Sequence, residues 1–458
     1  MENIDELLKT AQRIHFIGIG GSGMCPIVEI MHKQGYKITG SDNNESDTLT
    51  RVRNLGIPVT LGQSAENING ADMVIYTAAI LPDNPELCAA KESSIPTFER
   101  AVVLGAITRL YPNCIAVSGT HGKTTTTSMI TQILVTAGLD PTAVIGGKLP
   151  LINASGIAGK SDTMVCEACE FKAHFLELSP AVSIILNIDD DHMEFFGTIE
   201  NSIAYFRKFI ALTSKTLIIN GDDANTKKAV EGVTNKEIIT YGFGSQNDYT
   251  AVNMINNAGI QIEFDLLYKS NFLAHITANV PGKHNILNAM AAAAAAIHAG
   301  ATPEQVSQGL KNFGGAGRRF EVLGKKNGIT IADDYAHHPA ELTVTLEAAK
   351  KLGFRRVWAV FQPFTYSRTK LHMDAFAQAL QIADHVVMSE IMGSREVNTE
   401  GVYTSQLAEK IPGSVWFPTF EEIADYLVAH AKDGDLIITL GCGDVYKAAK
   451  IMLKKMNN

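Results

Sequence analysis

The sequence predicts an α/β protein of three domains: a Rossmann-like N-terminal domain, a central domain of P-loop ATPase type, and a C-terminal α/β Rossmann-like domain. Three observations carry that prediction. A strand, a glycine loop and an apolar helix follow one another from Ile14 to about Gln34. The same order restarts at Cys114, with the loop Gly119-Thr120-His121-Gly122-Lys123-Thr124-Thr125. Beyond Gly314-Gly315-Ala316-Gly317, four apolar runs again alternate with helices. Alternation of this kind specifies parallel sheets with covering helices. The domains are expected at 1–106, 107–316 and 317–458.

In the first domain Ile14-His15-Phe16-Ile17 reads as a buried strand, followed by Gly18-x-Gly20-x-x-Gly23 and a helix from Met24. The next strand, Tyr36-Lys37-Ile38-Thr39, ends at Gly40-Ser41-Asp42, so the acid stands 42 − 23 = 19 residues past the last glycine. By spacing alone this is a dinucleotide fingerprint, with Asp42 on the ribose hydroxyls of NAD. Val74-Ile75-Tyr76-Thr77 is a later strand of the same unit.

The second loop follows the apolar run Cys114-Ile115-Ala116-Val117 and opens a helix from Thr126 to Leu134. Glycines let backbone N–H groups approach phosphate oxygens, and the helix start adds partial positive charge. Lys123 reaches terminal phosphates, and the Thr124 hydroxyl can ligate Mg²⁺. The spacing departs from the standard P-loop, which wants a glycine where Val117 sits.

Further strands of the central unit are read at Thr163–Cys166, Val182–Asn187 and Thr216–Asn220, with an alternating hairpin arm at Ile260–Asp265. A helix from Asn285 through the alanine run ends at His298 before Gly300, a natural C-cap. Thr302-Pro303-Glu304-Gln305 has the pattern of a capping box with proline at the first helical position. The third unit takes its strands from Ile329–Ala332, Val357–Val360, Val386–Ser389 and Leu436–Leu440.

The balance of 39 basic against 48 acidic residues, a net charge of −9, argues against a nucleic-acid surface and places any anionic ligand in a local basic pocket. No apolar run has the length of a membrane span, and Met1-Glu2-Asn3-Ile4-Asp5-Glu6 is acidic where a leader would be basic, so no membrane insertion and a cytoplasmic location are expected. Cys166-x-x-Cys169 has the spacing of a metal or redox pair but no second pair beside it. The six cysteines read as reduced, mostly buried thiols.

Taken with both loops, the blocks Asn187-Ile188-Asp189-Asp190-Asp191-His192, Pro281-Gly282-Lys283-His284-Asn285-Ile286-Leu287-Asn288, Gly317-Arg318-Arg319-Phe320-Glu321, Asp333-Asp334-Tyr335-Ala336-His337-His338-Pro339, Phe361-Gln362-Pro363 with Ser367-Arg368-Thr369, and Gly441-Cys442-Gly443-Asp444 run in order over nearly the whole chain. In them the sequence resembles the Mur ligases of peptidoglycan precursor synthesis, and within that family the branch that joins L-alanine to UDP-N-acetylmuramate.

The resemblance implies ATP-dependent activation of the sugar carboxylate as an acyl phosphate, followed by amide formation with release of ADP and phosphate. It implies a first loop, Gly18, Gly20, Gly21, Ser22, Gly23 and Met24 with Ser41, Asp42 and Thr77, that holds the UDP-sugar. ATP is then expected on Gly119, Thr120, His121, Gly122, Lys123, Thr124 and Thr125, on His284, Asn285 and Asn288 at adenine, and on Arg319, Asp333 and Tyr335 at ribose and phosphates. Thr124, Glu167 and His192 are the implied ligands of Mg²⁺, or Mn²⁺ in its place. Lys123, Glu167, His192, His338 and Arg368 are the implied catalytic set. His337, His338 and Arg368 are expected to meet the muramoyl carboxylate and the amino acid, and a guanidinium pairs bidentately with the carboxylate of alanine. Where relatives carry a modified lysine, Ala204-Tyr205-Phe206-Arg207 places an aromatic and Lys208 is out of step, so no carbamylated lysine is expected. A monomer or homodimer is expected.

Read singly, a strand-end glutamate is as often a salt-bridged residue, and a histidine after an acidic run as often its ion-pair partner. Two other readings stay open: a sister ligase that attaches a murein tripeptide to the same UDP-sugar, and an NAD-dependent or nucleotide-responsive binding protein.

Overall fold

The structure, a computed structural model, describes residues 4–78, 80–255, 260–394, 396–399 and 401–456, and of Glu194 only the backbone. The first three residues of the acidic N-terminus lie outside that range.

The first sheet is formed by β1 (Arg13–Ile17), β2 (Lys37–Asp42), β3 (Val59–Leu61), β4 (Met73–Tyr76) and β5 (Thr97–Glu99), in the order β3-β2-β1-β4-β5 and parallel throughout. In β1 the residues Ile14, His15, Phe16 and Ile17 are all buried, as expected for a strand covered on both faces.

The second sheet has ten strands: β6 (Asn113–Ser118), β7 (Thr142–Leu149), β8 (Ala154–Ile157), β9 (Thr163–Glu167), β10 (Val182–Ile185), β11 (Thr216–Asn220), β12 (Glu237–Gly242), β13 (Tyr249–Ile255), β14 (Ile262–Tyr268) and β15 (Asn271–Ala278). Their order is β15-β14-β13-β12-β11-β10-β6-β9-β7-β8, and β7 and β8 form an antiparallel hairpin. The third sheet is formed by β16 (Glu321–Lys326), β17 (Ile329–Asp334), β18 (Arg356–Phe361), β19 (His385–Ser389), β20 (Val415–Phe417) and β21 (Asp435–Leu440), in the order β16-β17-β21-β18-β19-β20, with β16 antiparallel to β17.

The chain divides into two compact units. One is Met1–Asn253, Phe264–Ile276 and Ile286–Phe313; the other is Met254–Glu263, Thr277–Asn285 and Gly314–Asn458. In the first unit the hairpin β7–β8 touches the end of β9 and the first glycine loop. Gly146 N–H donates to Glu167 Oε2 (3.0 Å), and Ser155 Oγ to the carbonyl of Ser22 (3.0 Å). Its apolar core runs continuously from Ile14 and Phe16 to Phe206 and Phe209.

The elements read from sequence are present with shifted ends: β2, β9 and β17 run on to Asp42, Glu167 and Asp334, whereas β10 stops at Ile185, short of Asn187, and β4 stops at Tyr76, short of Thr77. The helix of the second loop begins at Lys123 and runs to Thr136. The capping box at Thr302 is formed with Gln305. The cysteine expectation holds for three of six: Cys25, Cys114 and Cys166 are buried, whereas Cys88, Cys169 and Cys442 are partly exposed because they lie in a short surface helix or at loop positions. Cys166 faces Cys114 across β6 and β9 at 4.0 Å between sulfurs.

Candidate active site

The loop Gly119–Thr125 sits at the end of β6, and Gly122, at φ +87°, turns the chain into the helix Lys123–Thr136. A side chain on Gly122 would meet Asn288 Oδ1 at 2.5 Å, so only glycine lets the loop pass beneath Asn288. The residues Asn187 and Asp189, just past β10, brace the loop. Asn187 Oδ1 accepts from His121 N–H (2.8 Å), its amide donates to the His121 carbonyl (3.1 Å), and Thr120 Oγ1 accepts from Asp189 N–H (2.9 Å). His121 beside Asp189 holds that carboxyl down at about 2, against the opposing effect of burial.

Lys123 Nζ donates to the carbonyls of Gly119 (2.6 Å) and Thr120 (2.9 Å) and pairs with Glu170 at 2.9 Å. Burial disfavours the charged amine, but the charges of Glu170, Cys169 and Glu167 outweigh it, so Lys123 stays above its ordinary range and protonated. Thr124 Oγ1 donates to Glu167 Oε2 at 2.8 Å. His192 Nε2 lies 4.0 Å from Glu170 Oε1 and 3.8 Å from Asp191 Oδ2. His192 (φ +55°), Lys172 (φ +50°) and Ala173 (φ +60°) all hold left-handed backbone, so the segments carrying these groups are strained.

Thr124 and Glu167, and Glu170 and His192, therefore stand beside Lys123 at the start of its helix. Among the described residues no three His, Cys, Asp or Glu side chains are spaced as a complete metal cage. That donor set suits Mg²⁺, which takes one or two carboxylates and fills its shell with water and phosphate oxygens. Glu170 was not among the residues singled out in the sequence, and Asn187 appeared there only at a strand end and as the first residue of its block, with no role assigned. The spacing Glu167-x-x-Glu170 was the available signal for the first, and the strand-end position beside β6 for the second. Lys208 lies with its amine over the Tyr205 ring at 4.5 Å.

At the first loop, Asp42 Oδ2 accepts from Gly20 N–H (2.9 Å) and Oδ1 from Asn44 N–H (3.2 Å). Ser41 is buried, its hydroxyl given to the buried Glu86 (2.6 Å), which in turn sits 3.4 Å from His15 Nε2. Asp42 thus shapes the loop with its side chain, and Ser41 with its carbonyl, which accepts from the N–H groups of Gly18 (2.9 Å) and Ile19 (3.0 Å). Gly18 stands against Thr77, whose Cγ2 would lie 2.9 Å from an added Cβ. The space beside Gly20 is filled by protein and not left to a ligand: a Cβ there would meet Asp42 Oδ2 at 3.0 Å and Leu49 Cδ1 at 3.1 Å. Gly20→Val would therefore distort the loop itself. It is expected to lower thermal stability as well as first-domain affinity, and a melting curve that matches wild type would contradict this packing.

The second unit carries the remaining candidates. Arg319 lies over the Tyr335 ring (4.8 Å). Its neighbour Arg318 is tied inward, to Asp333 (2.8 Å) and to the carbonyls of Gly441 (2.6 Å) and Gly443 (2.9 Å). Asp333 is 1% exposed, held by Arg318 and by Thr439 Oγ1 (2.6 Å). Asn285 donates to the Pro281 carbonyl (2.7 Å), and burial lowers His284 to about 4, leaving a neutral ring. His338 caps the helix Pro339–Lys351, accepting from Ala340 N–H (3.4 Å), and its ring meets His372 edge-on at 5.0 Å. The Arg368 guanidinium is partly exposed and close enough to Cys442 to counter the effect of burial, which pushes that thiol up to about 12.

Burial likewise raises Asp334 to about 6. A carboxyl whose folded value lies above its unfolded one binds its proton more firmly when folded. Its stabilising contribution is present below about pH 4 and is lost as pH rises through 6. Denaturant midpoints between pH 4 and 7 should show this loss in wild type and less of it in Asp334→Asn; equal slopes would contradict the shift.

A triphosphate loop at the end of β6, with a largely buried lysine and strand-end carboxylates beside it, defines an ATP-using enzyme. The Mur ligase middle domain matches residues 117–296, the Mur ligase family catalytic domain 13–112, and the Mur ligase glutamate ligase domain 318–443. UDP-N-acetylmuramate--L-alanine ligase of Clostridium acetobutylicum is 42% identical over 451 residues, covering 97% of this chain and 98% of that one. The enzyme of the same name from Agathobacter rectalis is 44% identical over 449 residues, covering 96% and 98%. Among solved structures, the UDP-N-acetylmuramate-alanine ligase of Thermotoga maritima superposes with a TM-score of 0.83 at 27% identity, covering 97% of this chain and 99% of that one. A murein peptide ligase of Psychrobacter arcticus gives 0.76 at 25% identity, covering 98% and 99%. The chain belongs to the Mur ligase family, whose members are ATP-dependent ligases.

Proposed function

We propose that the protein joins L-alanine to the carboxylate of UDP-N-acetylmuramate at the expense of ATP, forming ADP and phosphate in peptidoglycan precursor synthesis. Identity of 40–44% over nearly the whole chain to enzymes of that name carries this reading. It is supported by the triphosphate loop with Lys123, Thr124 and Glu167 in mutual reach.

Segment 1–106 holds the UDP-sugar, 107–316 the ATP, and 317–458 supplies the groups for the amino acid. A carboxylate is a poor acyl donor because its oxygen leaves badly and its charge repels the amine. Transfer of the γ-phosphoryl group to that oxygen removes both obstacles. Phosphoryl transfer is chiefly positioning and charge neutralisation. Lys123 meets the terminal phosphates, and nucleotide entry draws its amine away from the Gly119 and Thr120 carbonyls. Thr124, Glu167 and His192 would hold Mg²⁺, whose chemistry is to neutralise the developing phosphate charge. Asn288 lies over the loop at the adenosine end, with His284 and Asn285 on the same helix; Arg319 and Tyr335 serve ribose and phosphates. Arg368 takes the alanine carboxylate, and His338 stands at the reacting acid. The alanine nitrogen attacks the acyl carbon, and phosphate leaves with the carboxylate oxygen.

No helix among the described residues is long and apolar enough to cross a membrane. We place the enzyme in the cytoplasm as a monomer or homodimer. The amine decides between the two ligase branches. Phosphate release from Mg·ATP with UDP-N-acetylmuramate should require L-alanine; release with a murein tripeptide and not with alanine would assign the sister activity.

The first domain has its own test, because its spacing suits NAD. NADH should show no fluorescence enhancement or energy transfer with the protein, saturating NAD should not slow ligation, and UDP should compete with UDP-N-acetylmuramate. Micromolar NAD binding would overturn the assignment of this domain.

A further inference from the structure

We infer that Arg100 is the side chain that grips the diphosphate at the first glycine loop, an assignment that rests on the nucleotide-sugar reading above. The strand order of the first sheet reverses between β1 and β4. In open parallel sheets, ligands lie outside the carboxyl ends of the strands at such a reversal. The glycine loop leaves the carboxyl end of β1 there, and Arg100 follows β5 directly, on the same edge.

Two sets of donors converge at that point. Along the loop, the N–H groups of Gly18, Ile19, Gly20, Gly21, Met24 and Cys25 all find acceptors. Those of Ser22 and Gly23 find none among the described residues. The Arg100 guanidinium lies over Gly23: a Cβ on that glycine would stand 3.5 Å from Cζ and Nη1 and 3.6 Å from Nε.

The charge of Arg100 is unspent. Residues 4–112 contain five arginines, and four are each tied to a carboxylate: Arg13 to Asp72, Arg51 to Glu29, Arg53 to Glu45 and Arg109 to Asp5. The Arg100 side chain makes no hydrogen bond or ion pair among the described residues. The adjacent Glu99 is turned instead to His174 Nε2 at 3.0 Å. A partly buried guanidinium beside two unsatisfied N–H groups and a helix start is like charge gathered on like charge, which costs free energy unless an anion completes it. A planar fork of donors fits phosphate oxygens bidentately. Uracil is neutral and does not use this charge, and the muramoyl carboxylate has to present itself at Lys123 and Thr124. The diphosphate is the group that remains.

The test is calorimetric titration of uridine, UMP and UDP into wild type, Arg100→Ala and Arg100→Lys, with steady-state kinetics on the same proteins. Arg100→Ala should weaken UDP by about 10- to 100-fold, the range of charge-assisted hydrogen bonds. Uridine affinity should be unchanged, and the salt dependence of UDP binding should flatten. The KM for UDP-N-acetylmuramate should rise in step while kcat and the KM for ATP hold, and lysine should restore part of the loss. Unchanged UDP affinity in Arg100→Ala would overturn the assignment, as would an equal loss for uridine, which would mark Arg100 as a packing residue. A wild-type protein that binds NAD and not UDP would overturn the nucleotide-sugar reading itself, and the two failures are thereby distinguished.

Discussion

Lys123→Ala is expected to abolish ATP-dependent ligation while UDP-N-acetylmuramate still binds. The amine is removed from the terminal phosphates at the moment charge moves along the transfer path. Losing one preorganised charge of this kind costs at least about a hundredfold to a thousandfold in turnover. The substitution also strips Glu170, 3% exposed in its side chain, of its cation, so part of the effect is a buried carboxylate left repelling the incoming phosphates. Lys123→Ala combined with Glu170→Gln should therefore recover some ATP affinity without recovering turnover. The UDP-sugar binds on the first sheet and should be indifferent to either change. Titrations with each ligand check this; equal loss of both affinities in a folded variant would remove the two-site assignment.

Glu167→Ala and His192→Ala should each leave nucleotide binding detectable and reduce kcat by at least about a hundredfold, because each takes away a cation ligand on the phosphoryl path. The geometry separates the two. Glu167 also fixes the Thr124 hydroxyl and Gly146 N–H, so its loss should raise the Mg²⁺ concentration needed for half-maximal rate and loosen the β7–β8 hairpin. His192 stands by Glu170, and its loss should act on rate with less effect on ATP affinity. Near-normal turnover in either variant at ordinary Mg²⁺ would return that residue to an ion-pair role.

Legibility in the sequence followed burial. Strands covered on both faces, such as β1, β6, β18 and β21, are unbroken apolar runs and were readable, as were the helix starts with glycine or threonine at the cap. Among the strands that escaped, β3 and β5 have three residues each, β7 contains Gly146 and Gly147, and β12 and β13, although inside the ten-stranded sheet, are interrupted by polar residues. Gly146 lets the hairpin pass close to Glu167, and the pair of glycines blurs any period of two.

At the site, the loops were legible because phosphate binding restricts residue type at fixed spacing. Glu170 was not, because its role depends on a turn through Lys172 and Ala173 in left-handed backbone, which no propensity foretells. The surroundings of Gly20 were illegible for a related reason: sequence spacing shows that a glycine is required there but not whether ligand or protein fills the space beside it.

The central claim is that the sugar carboxylate is activated by phosphoryl transfer from ATP and then captured by alanine. Its most direct measurement uses UDP-N-acetylmuramate labelled with ¹⁸O in the carboxylate, incubated with the enzyme, Mg·ATP and L-alanine. One labelled oxygen should appear in inorganic phosphate for each amide formed, with ADP as the nucleotide product. Amide formation with unlabelled phosphate, or with label in AMP, would contradict it.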